Sequence, residues 1–378
     1  MQDKSQIIEM NLGGFSSRYI LGPLACLDLK LFVDAPPPVY VIDRTVAELH
    51  SPWLETIQAE CQGSSGEIFL LPPGEQAKTP AVLESVYKWL ADRALTREGT
   101  LVGVGGGATL DLAGLAAATW RRGVNFVALP TTLLAMVDAS IGGKTGINTA
   151  GLKNPVGCFH PASGILADCG FLATLPRRRW QEGMAELIKT AALGDPRLFA
   201  ELHRSRSKLS AYLADGSELE SVTGILGSLP WREWIGRAAA VKARIVTVDF
   251  REKGPRKALN LGHTLGHALE AHSMAHGRDL GHGQAVAIGM AVVFRIAAER
   301  GTCPLASAVQ LLEILEACGL PVTYPEPSTD ELEKLLSADK KTSARAGLRW
   351  ILPERIGKMD LDGQVSTAEI IKWLNPGY

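Results

Sequence analysis

The sequence carries almost no net charge: 39 Lys and Arg stand against 40 Asp and Glu, a formal balance of −1. That excludes a broad basic field able to attract nucleic acid, so any anion site has to be a local cluster of Lys and Arg. Long apolar runs are missing too. The longest, 285–294, stops at Arg295, about half the length a membrane-crossing helix requires. The opening Met1-Gln2-Asp3-Lys4-Ser5-Gln6 has an acidic residue and no apolar stretch, unlike a secretory signal. Six cysteines, Cys26, Cys61, Cys158, Cys169, Cys303 and Cys318, are scattered without a CxxC pair, which argues against both a zinc ribbon and a disulfide framework. Buried thiols in a reducing compartment are expected. These absences lead to the expectation of a soluble cytoplasmic protein with no nucleic-acid or membrane partner.

What is present is ample apolar material. Hydrophobic residues make up 46% of 378 positions and charged residues 21%, enough for a sizeable core, and the length suggests two domains. Short β-rich runs at 39–42, 67–71, 100–104 and 124–129 alternate with helix-like stretches at 79–94 and 111–120. This alternation predicts a parallel sheet covered by helices. From Glu182 onward strand signals are few and amphipathic segments many, at 184–193, 231–248, 263–272, 285–300 and 303–317. The boundary is placed near Leu175-Pro176-Arg177, giving a Rossmann-like α/β domain over 1–176 and a mainly α-helical domain over 177–378. The Ser- and Gly-rich stretch 205–230 reads as containing a loop.

Gly103-Val104-Gly105-Gly106-Gly107-Ala108-Thr109-Leu110-Asp111 follows a predicted strand and opens a helix. Backbone amides and the positive helix end can hold a diphosphate there, although the spacing is not GxGxxG and a purely structural turn stays open. Asp43 follows the strand at 39–42 and is placed to accept hydrogen bonds from a ribose. Glu75 and Lys78 supply a carboxylate and a cation in the next loop. Further on, Lys144 and Lys153 lie in a Gly-rich stretch that is neither plain strand nor plain helix, and their joint spacing suits a phosphate.

Glu186, His263 and His282 bring together one carboxylate and two imidazoles, ligand types that hold a catalytic divalent metal while leaving positions open for substrate. His267, four residues after His263, projects from the same helical face; either ring is a candidate ligand, and either is equally readable as a packed core histidine. His272 and His276 are expected on the surface. His50, His160 and His203 have no motif around them.

The segments 130–148, 152–157, 183–189, 260–270 and 281–290, with Asp43 to Lys341 as their span, resemble the 3-dehydroquinate synthase family of sugar phosphate cyclases. The resemblance implies that NAD is contacted by Asp43, Glu75, Lys78, Gly105, Gly106, Gly107, Asp111, Thr131 and Thr132. It implies that Glu186, His263 and His282 hold Zn2+ or Co2+, and that His267 serves the substrate phosphate instead. Asp138, Lys144, Asn154, Lys189, Glu252 and His267 are implied to form the catalytic group. Arg122, Lys153, Lys242, Arg256, Asn260 and Lys341 are implied to bind substrate, with Lys242 and Arg256 on its carboxylate and Arg122 reaching into a neighbouring subunit of a homodimer.

The implied reaction converts 3-deoxy-D-arabino-heptulosonate 7-phosphate to 3-dehydroquinate and phosphate, a step of the shikimate pathway to aromatic amino acids. It proceeds by transient NAD oxidation, phosphate elimination, re-reduction and intramolecular aldol closure. Two positions and one run depart from the family pattern: Phe250 where a Glu often follows Asp249, Gln284 where a Glu follows His-Gly, and Thr149-Ala150-Gly151-Leu152 before Lys153-Asn154. Related cyclases acting on an amino analogue or on neutral sedoheptulose 7-phosphate are the nearest alternatives. A metal-dependent polyol dehydrogenase shares the glycine turn and metal domain but does not need the Lys144, Lys153, Asn154 and Arg256 anion set, and a nucleotide-binding protein without chemistry does not need the metal residues.

Overall fold

The computed structural model describes residues 5–23, 31–32, 37–60, 67–214, 222–325, 327–342 and 349–375, without the side chains of 56–60, 222–223 and 338–342. Two compact units divide the chain: Met1–Leu175 with Trp231–Arg251, and Pro176–Pro230 with Glu252–Tyr378.

The first unit opens with β1 (Gln6–Leu12) and β2 (Phe15–Leu21), followed by β3 (Val39–Asp43), α1 (Arg44–Leu49), α2 (Ser51–Glu60), β4 (Ile68–Leu71), α3 (Pro80–Asp92), β5 (Thr100–Gly105), α4 (Gly107–Thr119) and β6 (Asn125–Pro130). After a single π turn at Ala135–Ala139 come β7 (Lys144–Thr149), β8 (Leu152–Phe159) and β9 (Gly164–Ala167). One seven-stranded sheet has the order β1-β2-β9-β6-β5-β3-β4. Only β1–β2 is antiparallel; the other neighbours run parallel. Every residue of β3 and β5 is buried, as their unbroken apolar runs require in a parallel sheet covered on both faces. Tyr40, Ile42, Val102, Val104, Val127 and Leu129 form one layer of the core with Ile20 and Leu166, the every-second-residue spacing of strands. Helix α4 is apolar all round and is buried accordingly. The β7–β8 hairpin stands apart from this sheet, with most of β8 exposed.

The second unit begins with α5 (Arg177–Gly194), α6 (Pro196–Arg204), α7 (Arg206–Leu213) and α8 (Val222–Ser228). The stretch 205–230, read as containing a loop, holds α7 and α8, and residues 215–221 between them lie outside the described residues. The chain then forms α9 (Trp231–Val248), which belongs to the first unit, not to the helical domain in which the sequence reading put it. Its buried face, Trp231, Trp234, Ile235, Ala238 and Val241, packs on β1 and on the π turn, and Gln6 lies where a side chain at Gly236 would otherwise be. Amphipathic periodicity identifies the helix but not the surface its apolar face meets.

The second unit resumes with α10 (His263–Ala275), α11 (His282–Glu299), α12 (Leu305–Ala317), α13 (Thr329–Thr342), the hairpin β10 (Trp350–Arg355) and β11 (Lys358–Gly363), and α14 (Thr367–Leu374). Helix α11 is buried along nearly its whole length and packs against α5, α10, α12 and α14. Among the described residues no helix is long and apolar enough to cross a membrane.

Candidate functional site

In the first unit the strand order reverses at β3: β4 lies on one side of it and β5 on the other. Connections leaving the carboxyl ends of β3 and β5 diverge at such a point, and the crevice they leave is where open parallel sheets bind ligands. Asp43 ends β3, and Gly105 ends β5 immediately before α4. A Cβ at Gly106 would sit 3.1 Å from Thr132 Cγ2 and one at Gly107 3.0 Å from Ala139, so glycine lets this turn approach the Thr131–Thr132 segment. Thr131 N donates to Gly105 O at 2.9 Å.

Asp43 is 7% exposed and is already engaged as a tie between loops. It accepts from Thr45 N at 2.9 Å and Gly74 N at 3.1 Å, with Thr109 Oγ1 at 3.4 Å. Beside it, Lys78 Nζ donates to Asp111 Oδ2 at 2.6 Å and Asn154 Oδ1 at 2.5 Å. Asn148 joins the same group, donating to Glu75 Oε1 at 2.6 Å and accepting from Asn154 N at 2.9 Å. Burial pushes the Asp111 carboxyl up to about 6, although Lys78 pulls the other way. Asn148 was not singled out in the sequence; an Asn four residues after Lys144 carries no signal of its own.

The remaining expected residues of this unit are more dispersed. Asp138, in the π turn, accepts from the buried Lys242 Nζ of α9. Lys144 and Lys153 are exposed at the start of β7 and in β8. Arg122 is exposed as well, and both Arg121 (φ 52) and Arg122 (φ 65) adopt the left-handed backbone, a strained arrangement for residues with a Cβ.

In the second unit, Glu186 lies mid-helix in α5, while His263 and His282 are the first residues of α10 and α11. The two histidines are brought together by contact of bare backbone. A Cβ at Gly289 would be 2.0 Å from Gly262 O, and Gly262 itself takes φ +77 just before His263. Glu186 is 1% exposed. Its Oε1 accepts no hydrogen bond among the described residues and faces His263 Nε2 at 3.7 Å and His282 Nε2 at 3.5 Å. Each ring is oriented from behind: His263 Nδ1 lies 3.2 Å from Leu261 O, and His282 Nδ1 lies 3.3 Å from Glu270 Oε2. Donation through Nδ1–H leaves each Nε2 lone pair directed at the cluster, the arrangement metal-binding histidines show. Lys189, one turn on, is buried against Glu186 Oε2.

Burial alone would raise the Glu186 carboxyl, yet Lys189 and the two imidazoles hold it well below the usual carboxylate range. Burial and Lys189 bring His263 down to about 3. His282 goes the other way, up to about 10, because the Glu186 and Glu270 carboxylates facing it outweigh its burial; metal binding at Nε2 would displace that proton. Donor atoms of Glu186, His263 and His282 lie within 4.8 Å of one another. His267, Glu270 and His282 make a second such group, but His267 is exposed and Glu270 there serves to orient His282. Glu270 is a functional candidate the sequence reading passed over; its signal was its place seven residues after His263, two turns along the same helix.

Glu252 accepts from Asn260 Nδ2 at 2.9 Å, and Arg256 is buried. The side chain of Lys341, near the end of α13, lies outside the described residues. The departures from the family pattern fall on structural positions. Gln284 accepts from Gly281 N at 3.0 Å, capping α11, a task Glu and Gln perform alike. Phe250 packs edge-on to Phe159 at 5.2 Å and fills the space beside Gly13. Ala150 (φ 52) and Gly151 (φ 72) make the tight turn between β7 and β8. Among the histidines, His272 is buried, 3% exposed, against the expectation of a surface position, because α13 and Tyr324 pack over that end of α10.

The family pattern described as 3-dehydroquinate synthase N-terminal matches residues 68–182, and that described as 3-dehydroquinate synthase C-terminal matches 183–342. A 3-dehydroquinate synthase of Thermobifida fusca (strain YX) is 43% identical over 282 residues, covering 75% of this chain and 72% of the relative. One from Synechococcus sp. (strain CC9605) is 40% identical over 313 residues, covering 82% and 80%. Among solved structures, ValA, a 2-epi-5-epi-valiolone synthase from Streptomyces hygroscopicus subsp. jinggangensis 5008 with NAD+ and Zn2+ bound, superposes with a TM-score of 0.80 at 30% identity, covering 96% of each chain. With both halves matched and identities of 40% or more over most of its length, the chain belongs to the 3-dehydroquinate synthase family.

Proposed function

We propose that the chain is an NAD- and metal-dependent lyase that converts 3-deoxy-D-arabino-heptulosonate 7-phosphate to 3-dehydroquinate and phosphate, in the shikimate pathway. The observation that carries this reading is the buried Glu186 oxygen that accepts no hydrogen bond among the described residues, facing two imidazoles whose other nitrogens are tied down, in a chain about 40% identical to curated synthases. A carboxylate and two neutral imidazole nitrogens fit Zn2+ or Co2+. Such an ion would supply Lewis acidity toward a substrate hydroxyl, and NAD a reversible hydride acceptor.

The protein's own groups bind and orient. Asp43 and the Gly105, Gly106, Gly107 turn are assigned to the nucleotide, with Glu75, Lys78, Asp111, Thr131 and Thr132 around them. In the first unit Asp138, Lys144, Lys153, Asn154 and Lys242 are assigned to substrate. In the second, Lys189, Glu252, Arg256, Asn260 and His267 are so assigned, Lys189 holding a substrate oxygen while its charge balances Glu186 and Arg256 offering a planar fork to a carboxylate. Arg122 is assigned to the neighbouring copy in a homodimer, and the free thiols Cys158, Cys169, Cys303 and Cys318 suit a cytoplasmic enzyme.

Likeness to a valiolone synthase favours, as second reading, a cyclase for neutral sedoheptulose 7-phosphate. Phosphate release from the two sugar phosphates separates them. The deoxy acid should be preferred by about tenfold to a hundredfold, as a hydrogen bond from the Arg256 fork to a substrate carboxylate contributes about 1.5–3 kcal/mol, with phosphate accumulating and no matching NADH. Faster turnover of the neutral sugar would overturn the assignment; stoichiometric NADH from an unphosphorylated polyol would replace it with a dehydrogenase.

A further inference from the structure

The last turn of α10 holds a second group of donors that the proposed chemistry does not use: His272 and His276, four residues apart on one face, and Glu331 of α13. One ligand atom from each lies within 4.8 Å of the others. The rings are stacked with centroids 4.2 Å apart, and His276 Nε2 is 4.0 Å from Glu331 Oε1. Nine residues along the helix from His263 is about 13 Å, so this group is distinct from the Glu186 cluster.

All three side chains are held from behind. His272 Nδ1 is 3.2 Å from the hydroxyl of Tyr324, and His276 Nδ1 is 2.9 Å from His272 O. With Nδ1–H donating in each ring, coordination would run through Nε2. Glu331 Oε2 takes hydrogen bonds from Ser328 N at 3.0 Å and Ser328 Oγ at 2.6 Å, which turns Oε1 toward the imidazoles. Those hydrogen bonds, with the two histidines, hold the carboxyl below its ordinary value, so it is ionised at neutral pH. His272 is 3% exposed whereas His276 is on the surface: the group has a buried floor and an open side, where water can complete the coordination of an arriving ion. Two histidines at i and i+4 of one helix plus a carboxylate from another element form a three-ligand set with open positions.

We infer that His272, His276 and Glu331 form a second site for a borderline divalent transition metal such as Zn2+, fastening the end of α10 to α13. Equilibrium dialysis of the full-length chain against low-micromolar Zn2+, followed by elemental analysis, tests it. The wild type should retain two equivalents, His276→Ala and Glu331→Gln one each, and His263→Ala should keep the equivalent that His276→Ala loses. Beyond the first equivalent, added Zn2+ should raise the Tm of the wild type and leave that of His276→Ala unchanged. Saturation of the wild type at one equivalent, or two equivalents retained by both His276→Ala and Glu331→Gln, would overturn the site.

Discussion

Around the glycine turn of the first unit, Lys78, Asp111, Asn154, Asn148 and Glu75 satisfy one another, whereas in the second unit the Glu186 oxygen that faces two imidazoles accepts no hydrogen bond among the described residues. The first group is assembled from the short turn that carries Glu75 and Lys78, from α4 and from the β7–β8 hairpin, and Lys78 and Asp111 pair within it. The second is assembled from three helices: Lys189 holds Glu186 Oε2, while Oε1 faces the Nε2 atoms of His263 and His282. A ligand arriving at the first therefore competes with existing hydrogen bonds, while a cation arriving at the second completes an arrangement already built.

The largest expected effect separates the two directly. Removing one imidazole, in His263→Ala, should lower phosphate release about a thousandfold or more, since Lewis-acid stabilisation is worth several kcal/mol, while nucleotide affinity, read by equilibrium binding of NAD+, stays within about twofold of wild type. Equal loss of both would mean that the two groups are not independent.

Breaking the compensated network should act on stability instead. Lys78→Met leaves Asp111 without its cation and should cost about 2–3 kcal/mol in chemical denaturation, less than for a fully buried pair because Asp111 retains some exposure. The sign of the pH dependence follows from burial, which raises the folded Asp111 carboxyl from 3.8 to about 6. Between those values the folded chain binds the proton more tightly, so acidifying from pH 6 toward 4 favours folding through this group, and its contribution is lost as pH rises through about 6. Asp111→Asn should remove that part of the slope, up to about 3 kcal/mol across the window.

Glu270→Gln tests whether the orienting carboxylate behind His282 matters. Zn2+ affinity, measured by chelator competition, should fall by about 10–100-fold with the fold unchanged. The smallest effect belongs to the turn that carries Asn148 and Asn154. Ala150 sits at φ 52, where Asn is better tolerated, so Ala150→Asn should raise stability by about 0.5–1 kcal/mol without altering metal content.

Most of the first unit's inner sheet was legible because β3, β5 and β6 are unbroken apolar runs separated by helical periodicity. The β1–β2 hairpin was missed although its signals are local: Gln6–Leu12 alternates polar and apolar residues and pairs with Phe15–Leu21 across Gly13-Gly14; only the pairing of β2 with β9 depends on a partner distant in sequence. The β10–β11 hairpin was hidden in a stretch otherwise rich in helix formers, with register shifts that break its alternation. The surface placement expected of His272 failed because a polar side chain on a helix is read as exposed until the packed neighbour is known.

By itself the sequence determined the alternation of strands and helices, the glycine turn after β5, and the residue types in the motif segments, since each is a property of a few adjacent positions. Only the tertiary structure decided that Asp43 and Gly105 meet where the strand order reverses, that α9 packs with the first unit, and that Gly262 lies against Gly289 to bring His263 and His282 toward Glu186. Those outcomes rest on contacts between residues far apart in the chain, where shape and burial, not local propensity, select the partner.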